Sequence, residues 1–296
     1  MIKRQSPTIT QANIAFFITA VITLVGSAFF QPRLGVGTNL WINEFVYILF
    51  PPLLLVWING WSVEDVYRFR KTSIRNMVIS VLAGLNLWFF AFYVSRISRM
   101  FLDNRIGLLI IPDQQTDLSI YQSILLLIGM IVLAPICEET FFRGFMQRAY
   151  EGHSKRYGFV VTGTIFGSYH VLNGISEVFS ACILGLAMGY LVYKTDSIAT
   201  SMIFHAAANT CAIALGGVFA ASTLLAVPAW LHIIAFGGLG LTVVFLRSLT
   251  VGSRSEDDQN ISREGERMSG TGVVFLALSA IFLVSAGIME IIARLG

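Results

Sequence analysis

The chain has 296 residues, of which 55% are hydrophobic and 12% charged, with a mean hydropathy of +0.73 and a formal charge of +3. Soluble domains carry about 25% charged residues, so this composition excludes an ordinary soluble enzyme and indicates a chain that resides in a bilayer. A charge of +3 is too small to imply a nucleic-acid partner.

A membrane span needs about 20 mostly apolar residues at about 1.5 Å rise each. The first run free of formal charge, 5–31, follows Lys3 and Arg4 without a small-residue cleavage site and is read as a retained span. A second span over 40–58 contains Glu44 near its edge and Pro51-Pro52, which predicts a kink. Further runs occupy 76–95, 118–137, 157–176 and 178–193. The run 197–246 is long enough for two spans with a turn between Gly216-Gly217 and Pro228, and a last run covers 268–289. The expectation is an all-α, polytopic transmembrane helix bundle of about nine spans, or eight if one run is re-entrant or interfacial. The whole chain, 1–296, reads as one membrane domain without an inverted repeat, and a polar loop over 250–270 is expected to be mobile.

Basic residues give the orientation. With the N-terminus in the cytoplasm, 15 of the 20 fall inside, in 3–4, 68–75, 143–156, 194 and 247–267. Arg96, Arg99 and Arg105 are the main exceptions and suggest an interfacial segment. Cys137, Cys182 and Cys211 lie in apolar stretches without metal-type spacing and read as small buried hydrophobes.

Titratable side chains at membrane depth are costly, and each is a functional candidate by default. Here they fall in three segments. In Glu138-Glu139-Thr140-Phe141-Phe142-Arg143, Glu139 and Arg143 stand at i,i+4 in the favourable order, leaving Glu138 without a partner in its own turn. Pro135 just upstream lacks an N–H and should free the carbonyl of Ile131, a combination suited to holding a water. The second segment is Phe166-Gly167-Ser168-Tyr169-His170. The third, His205-Ala206-Ala207-Ala208-Asn209, puts His205 and Asn209 on one helix face with small residues between, so that a neighbouring helix can approach. Each segment has a plain alternative: a solvated helix end, a satisfied core histidine, a polar helix–helix contact. Counting rise per residue from the helix ends, however, brings Glu138, His170, His205 and Asn209 into one layer, which on this topology opens toward the cytoplasmic, basic end.

Glu-Glu-x-x-x-Arg, then Phe-x-x-x-His, then His-x-x-x-Asn on successive helices resembles the CAAX prenyl protease 2-type family, whose prokaryotic members are the CPBP intramembrane proteases (CAAX proteases and bacteriocin-processing proteins). The resemblance covers roughly 123–214, on helices four to seven. It implies an intramembrane endopeptidase whose substrate is a membrane-associated peptide or protein. Glu138 then matches the general base and His170 the histidine that helps activate the same water. His205 and Asn209 match an oxyanion-binding pair, and Glu139 and Arg143 the supporting acid and arginine.

No metal is implied, although a zinc-dependent variant using Glu138, His170 and His205 is the nearest alternative. Against it stand the missing His-Glu-x-x-His helix and the poor ligand Asn209. A cysteine mechanism through Cys137 lacks a neighbour in sequence that would activate the thiol. From other classes, a transporter with a buried proton relay and a catalytically idle immunity or scaffold protein fit the same hydropathy. Neither the oligomeric state nor the identity of the substrate is legible in the chain.

Overall fold

A computed structural model describes residues 6–108, 118–152, 155–222, 227–251 and 268–295. Lys3, Arg4 and most of the polar loop expected over 250–270 lie outside the described residues. The described chain is helical throughout. In order, the helices are α1 (Ile9–Leu34), α2 (Val36–Asn59), the short α3 (Val63–Tyr67), α4 (Ile74–Arg105), α5 (Ile120–Glu151), α6 (Lys155–Tyr169), α7 (Val178–Thr195), α8 (Ile198–Ser222), α9 (Ala229–Arg247) and α10 (Gly270–Leu295).

Eight of these segments are long and apolar enough to cross a bilayer, α7 counting together with the turn before it. The protein is therefore a multi-pass membrane protein, and the run 157–176 is the one that does not make a full span. Its helix, α6, has 15 residues, or about 22 Å of rise. It stops at Tyr169 and passes through two 3₁₀ turns, His170–Asn173 and Ile175–Glu177, separated by Gly174 at φ +127°, a backbone angle that only glycine adopts freely. Glu290 of α10 accepts a hydrogen bond from the Ile175 N–H at 2.6 Å, fixing this broken segment from the far end of the chain.

Prolines shape α2 and α5 in the same way. Each helix widens to the i→i+5 register ahead of its proline, over Asn43–Leu49 and Gly129–Leu133. The last N–H in register belongs to Phe50, bonded to Phe45, and to Ala134, bonded to Gly129. The next donors would come from Pro51 and Pro52 in α2 and from Pro135 in α5, and these have none. Side chains of other helices satisfy two of the stranded carbonyls: Thr19 of α1 donates to Tyr47 at 3.1 Å, and Asn209 of α8 donates to Met130 at 2.8 Å. The carbonyl that draws a side-chain donor near Pro135 is thus that of Met130 and not Ile131, because the wider register shifts the gap by one residue. A third widened segment, Thr140–Met146, follows directly without a proline.

Without a hydrophobic driving force between helices in lipid, close packing depends on small residues. α6 and α7 meet through Gly163 and Gly167 on one side and Gly185 and Gly189 on the other, each pair four residues apart. A Cβ on Gly185 would stand 2.8 Å from the Gly163 carbonyl oxygen, and one on Gly167 would stand 2.6 Å from the Cys182 backbone. Gly84 brings α4 against α8 in the same manner, beside Ala207. The two ends of the bundle differ in charge. At one end Arg68 and Arg70 pair with Glu151 and Asp196, near Lys71, Arg75, Arg148, Lys194 and Arg247. At the other, Arg294 joins Asp103 and Glu290, near Arg33, Arg96, Arg99 and Arg105.

Gly167→Leu is expected to lower stability by about 1–3 kcal/mol through overpacking against fixed backbone. Gly240→Ala, where a Cβ meets nothing within 4 Å, should leave it unchanged or slightly raised. Thermal melting of the two variants in one detergent checks the contrast.

Candidate active site

The Glu139–Arg143 pair forms as its spacing predicts, but it is not a solvated helix end. Both side chains have no exposure, and Arg143 Nη1 lies 2.9 Å from Glu139 Oε1. Arg143 also donates through Nη2 to the Gly185 carbonyl at 3.1 Å and stacks 4.2 Å from the centre of the Phe166 ring. The absence of a side chain at Gly185 lets the guanidinium reach α7: a Cβ there would stand 3.3 Å from Nη2.

Glu139 Oε1 also meets His205 Nδ1 at 3.0 Å. A carboxylate oxygen can only accept, so Nδ1 carries the proton, and in the neutral ring Nε2 holds the lone pair. Nε2 faces Glu138 Oε2 across 3.9 Å, too far for a direct hydrogen bond. Glu138 is 9% exposed, and its Oε2 has no hydrogen-bond partner. Beyond its own turn, Glu138 thus faces His205, 67 residues away, without touching it.

His170 opens the 3₁₀ turn after α6. Its Nδ1 lies 2.8 Å from the Phe166 carbonyl, which fixes the proton on Nδ1 and leaves Nε2 as an acceptor. The Phe166 ring lies between the two histidines, 4.5 Å from the His170 ring and 6.1 Å from the His205 ring, centre to centre. Asn209 uses one amide N–H on the Met130 carbonyl and retains a second.

His170, His205 and Asn209 share the wall of a cavity of about 460 Å³ between α4, α7 and α8. Trp88, Phe92, Leu184 and Met188 make it mainly apolar, whereas Ser95, Arg96, Arg99 and Glu177 line its other end. Glu177 accepts from Ser95 at 2.8 Å and pairs with Arg99 at 3.6 Å. These charged residues sit at the end of the bundle that has fewer basic residues. The polar layer therefore opens away from the end with more of them, opposite to the direction expected from sequence. The reason is local: α4 carries Trp88, Ala91, Phe92, Ser95, Arg96 and Arg99 on one face, continuing the cavity past the apolar run.

The interior holds a further buried acid. Glu44 is 1% exposed, in the widened segment of α2 that packs on the stretch of α5 carrying Glu138. A carboxylate inside an apolar run is a signal legible in sequence, weakened here by its place near the edge of that run. Among the described residues, no group of three or more His, Cys, Asp or Glu side chains is close enough to hold a metal ion.

Residues 120–211 match the family model described as type II CAAX prenyl endopeptidase Rce1-like, and this stretch contains all six residues named above from the three segments. No curated protein and no solved structure matches the chain.

Arg143→Met would leave Glu139 ionised and buried without its cation, an expected loss of about 3–5 kcal/mol. The double variant Glu139→Gln/Arg143→Met should recover much of that loss, and melting of the singles against the double tests the pairing.

Proposed function

We propose that this multi-pass membrane protein, whose residues 120–211 match the type II CAAX prenyl endopeptidase model, is a peptide hydrolase that cleaves a membrane-associated peptide or protein with a water activated by Glu138 and His170. The observation that carries this reading is the 3.9 Å gap between Glu138 Oε2 and His205 Nε2, beside a polar-rimmed cavity shared by His170, His205 and Asn209. One water placed over that gap lies within hydrogen-bond reach of both atoms.

In the proposed reaction, the Glu138 carboxylate takes a proton from the water while its oxygen attacks the scissile carbonyl carbon. The C=O π electrons move to oxygen, and the second N–H of Asn209 stabilises the resulting oxyanion. His205, held at Nδ1 by Glu139, adds a donor at Nε2 only when its ring carries both protons. As the tetrahedral species collapses, the C–N bond breaks and Glu138 returns its proton to the leaving amine. The fixed tautomer of His170 offers the water a lone pair at Nε2. Arg143 holds Glu139, and through it the ring of His205.

Glu138→Gln and His170→Ala are each expected to lower cleavage by about 10²–10⁴-fold while the protein still accumulates in the membrane. The check is to compare membrane peptides from cells carrying wild-type or variant chains, then to measure rates on a peptide that accumulates only with the variants. Unchanged processing in either variant sinks the reading. We read the reaction as metal-independent. Purified protein should retain its rate in a zinc chelator and hold no stoichiometric zinc, and loss of activity that added zinc restores would favour the metal-dependent alternative.

With the end that has more Lys and Arg in the cytoplasm, the cavity opens to the opposite face of the membrane. In a chain whose three cysteines are replaced, Leu108→Cys should react with an impermeant maleimide on intact cells and Val251→Cys only after permeabilisation. The reverse pattern would put the cavity mouth in the cytoplasm.

A further inference from the structure

A second charge cluster, apart from Arg143, takes no part in the proposed reaction. Arg294, near the end of α10, has a side chain 3% exposed between two acids. Its Nη2 lies 2.7 Å from Glu290 Oε1, and its Nη1 lies 2.8 Å from Asp103 Oδ1 on α4. Nη1 also donates to the Gly107 carbonyl at 3.0 Å. Arg294 thus grips one oxygen of Glu290, and the other, Oε2, accepts the Ile175 N–H at 2.6 Å. That N–H opens a 3₁₀ turn, where the helix itself offers no acceptor, and Gly174 before it supplies no side-chain cap.

The segment so held lines the candidate site. His170, Asn173 and Glu177 all contribute to the cavity wall. Between them the chain runs through two 3₁₀ turns and Gly174, so no continuous helix fixes their spacing. α10 meets this segment at a second point: a Cβ on Gly287 would stand 3.4 Å from Val171 Cγ2 and 3.7 Å from Ile175 Cγ1. Gly287 and Glu290 are three residues apart and share a helix face. The residue next to His170 and the residue bonded to Glu290 therefore rest on that one face.

We propose that Glu290 is a positioning residue for the hydrolysis, holding through the Ile175 N–H the segment that carries His170 into the cavity wall. Glu290 lies outside residues 120–211, so the family match does not supply it. It acts through the backbone of this segment, while Arg294, anchored in turn on Asp103, fixes its own carboxylate. This role rests on the hydrolase reading above.

Glu290→Leu removes the acceptor but leaves Arg294 its bonds to Asp103 and the Gly107 carbonyl, whereas Glu290→Gln keeps an oxygen for the N–H. On the accumulating peptide described above, Glu290→Leu should lower kcat per folded molecule by about 10²-fold, the scale of a misplacement of about 1 Å. Glu290→Gln should retain most of the rate, and an equal loss in both variants overturns the role as acceptor. Hydrogen–deuterium exchange in detergent reads the same contact without substrate: amides over 170–177 should exchange faster in Glu290→Leu than in wild type, and those of α8 should not. Unchanged exchange over 170–177 overturns the proposal. So does the result of a purely structural Glu290, a lower yield of folded protein with kcat per folded molecule at the wild-type value. Wild-type protein that cuts no peptide is a failure of the hydrolase reading itself, recognisable because it needs no substitution, and it takes this role with it.

Discussion

Arg143 is a permanent cation with no exposure, and four neighbours converge on it: Glu139 one turn earlier, the Gly185 carbonyl on α7, the Phe166 ring on α6 and, through Glu139, His205 on α8. Removing a guanidinium from water is expensive, and in hydrocarbon nothing but protein can satisfy it. The helices around it are therefore constrained to bring acceptors to a fixed point. That constraint sets the orientation of the His205 ring, and with it the direction in which Nε2 faces Glu138. The side chains proposed to do chemistry stand one step removed from the ion pair that orders them.

The widened helical segments serve the same centre. A regular α-helix through Gly129–Leu133 would have left a different carbonyl without a donor and changed the register in which Glu138 and Glu139 follow. Proline after an i→i+5 segment instead leaves the Met130 carbonyl to Asn209, tying α8 to α5 two turns before the acids. In α2 the same device joins Tyr47 to Thr19 and presents Glu44 from the widened turn. Thus a backbone defect in each helix is repaired by a polar side chain of a neighbour, and the repair fixes how the helices meet.

Polar groups so arranged give the interior an asymmetry. The ion pair lies deep, on the side of the end marked by Arg68, Glu151 and Asp196, while the cavity rises from His205 and Asn209 toward Ser95, Arg99 and Glu177. Bulky apolar side chains, among them Trp88, Phe92 and Leu184, line its middle. The broken segment after α6 is held by Glu290, itself joined to Arg294 and Asp103, so the last helix restrains the backbone beside His170.

What could be read along the chain was whatever depends on near neighbours or on the solvent. Apolar runs revealed the spans because a bilayer demands them. The i,i+4 spacing revealed the pairing of Glu139 with Arg143, and the three motifs lie within residues 120–211, which match the family model. Run length could not show that 157–176 stops short, since the cause includes an N–H bonded to Glu290, 115 residues away. Nor could it distinguish a kink from a widened turn, or the carbonyl of Ile131 from that of Met130, because the choice depends on a donor reaching across from α8. Tertiary structure alone decided that the segment with Glu44 packs on the stretch carrying Glu138, that His205 turns Nδ1 to Glu139, and that the cavity opens at the end with fewer basic residues. All three are contacts between helices far apart in sequence, and composition and periodicity constrain how each helix forms without fixing the rotation at which it meets the next.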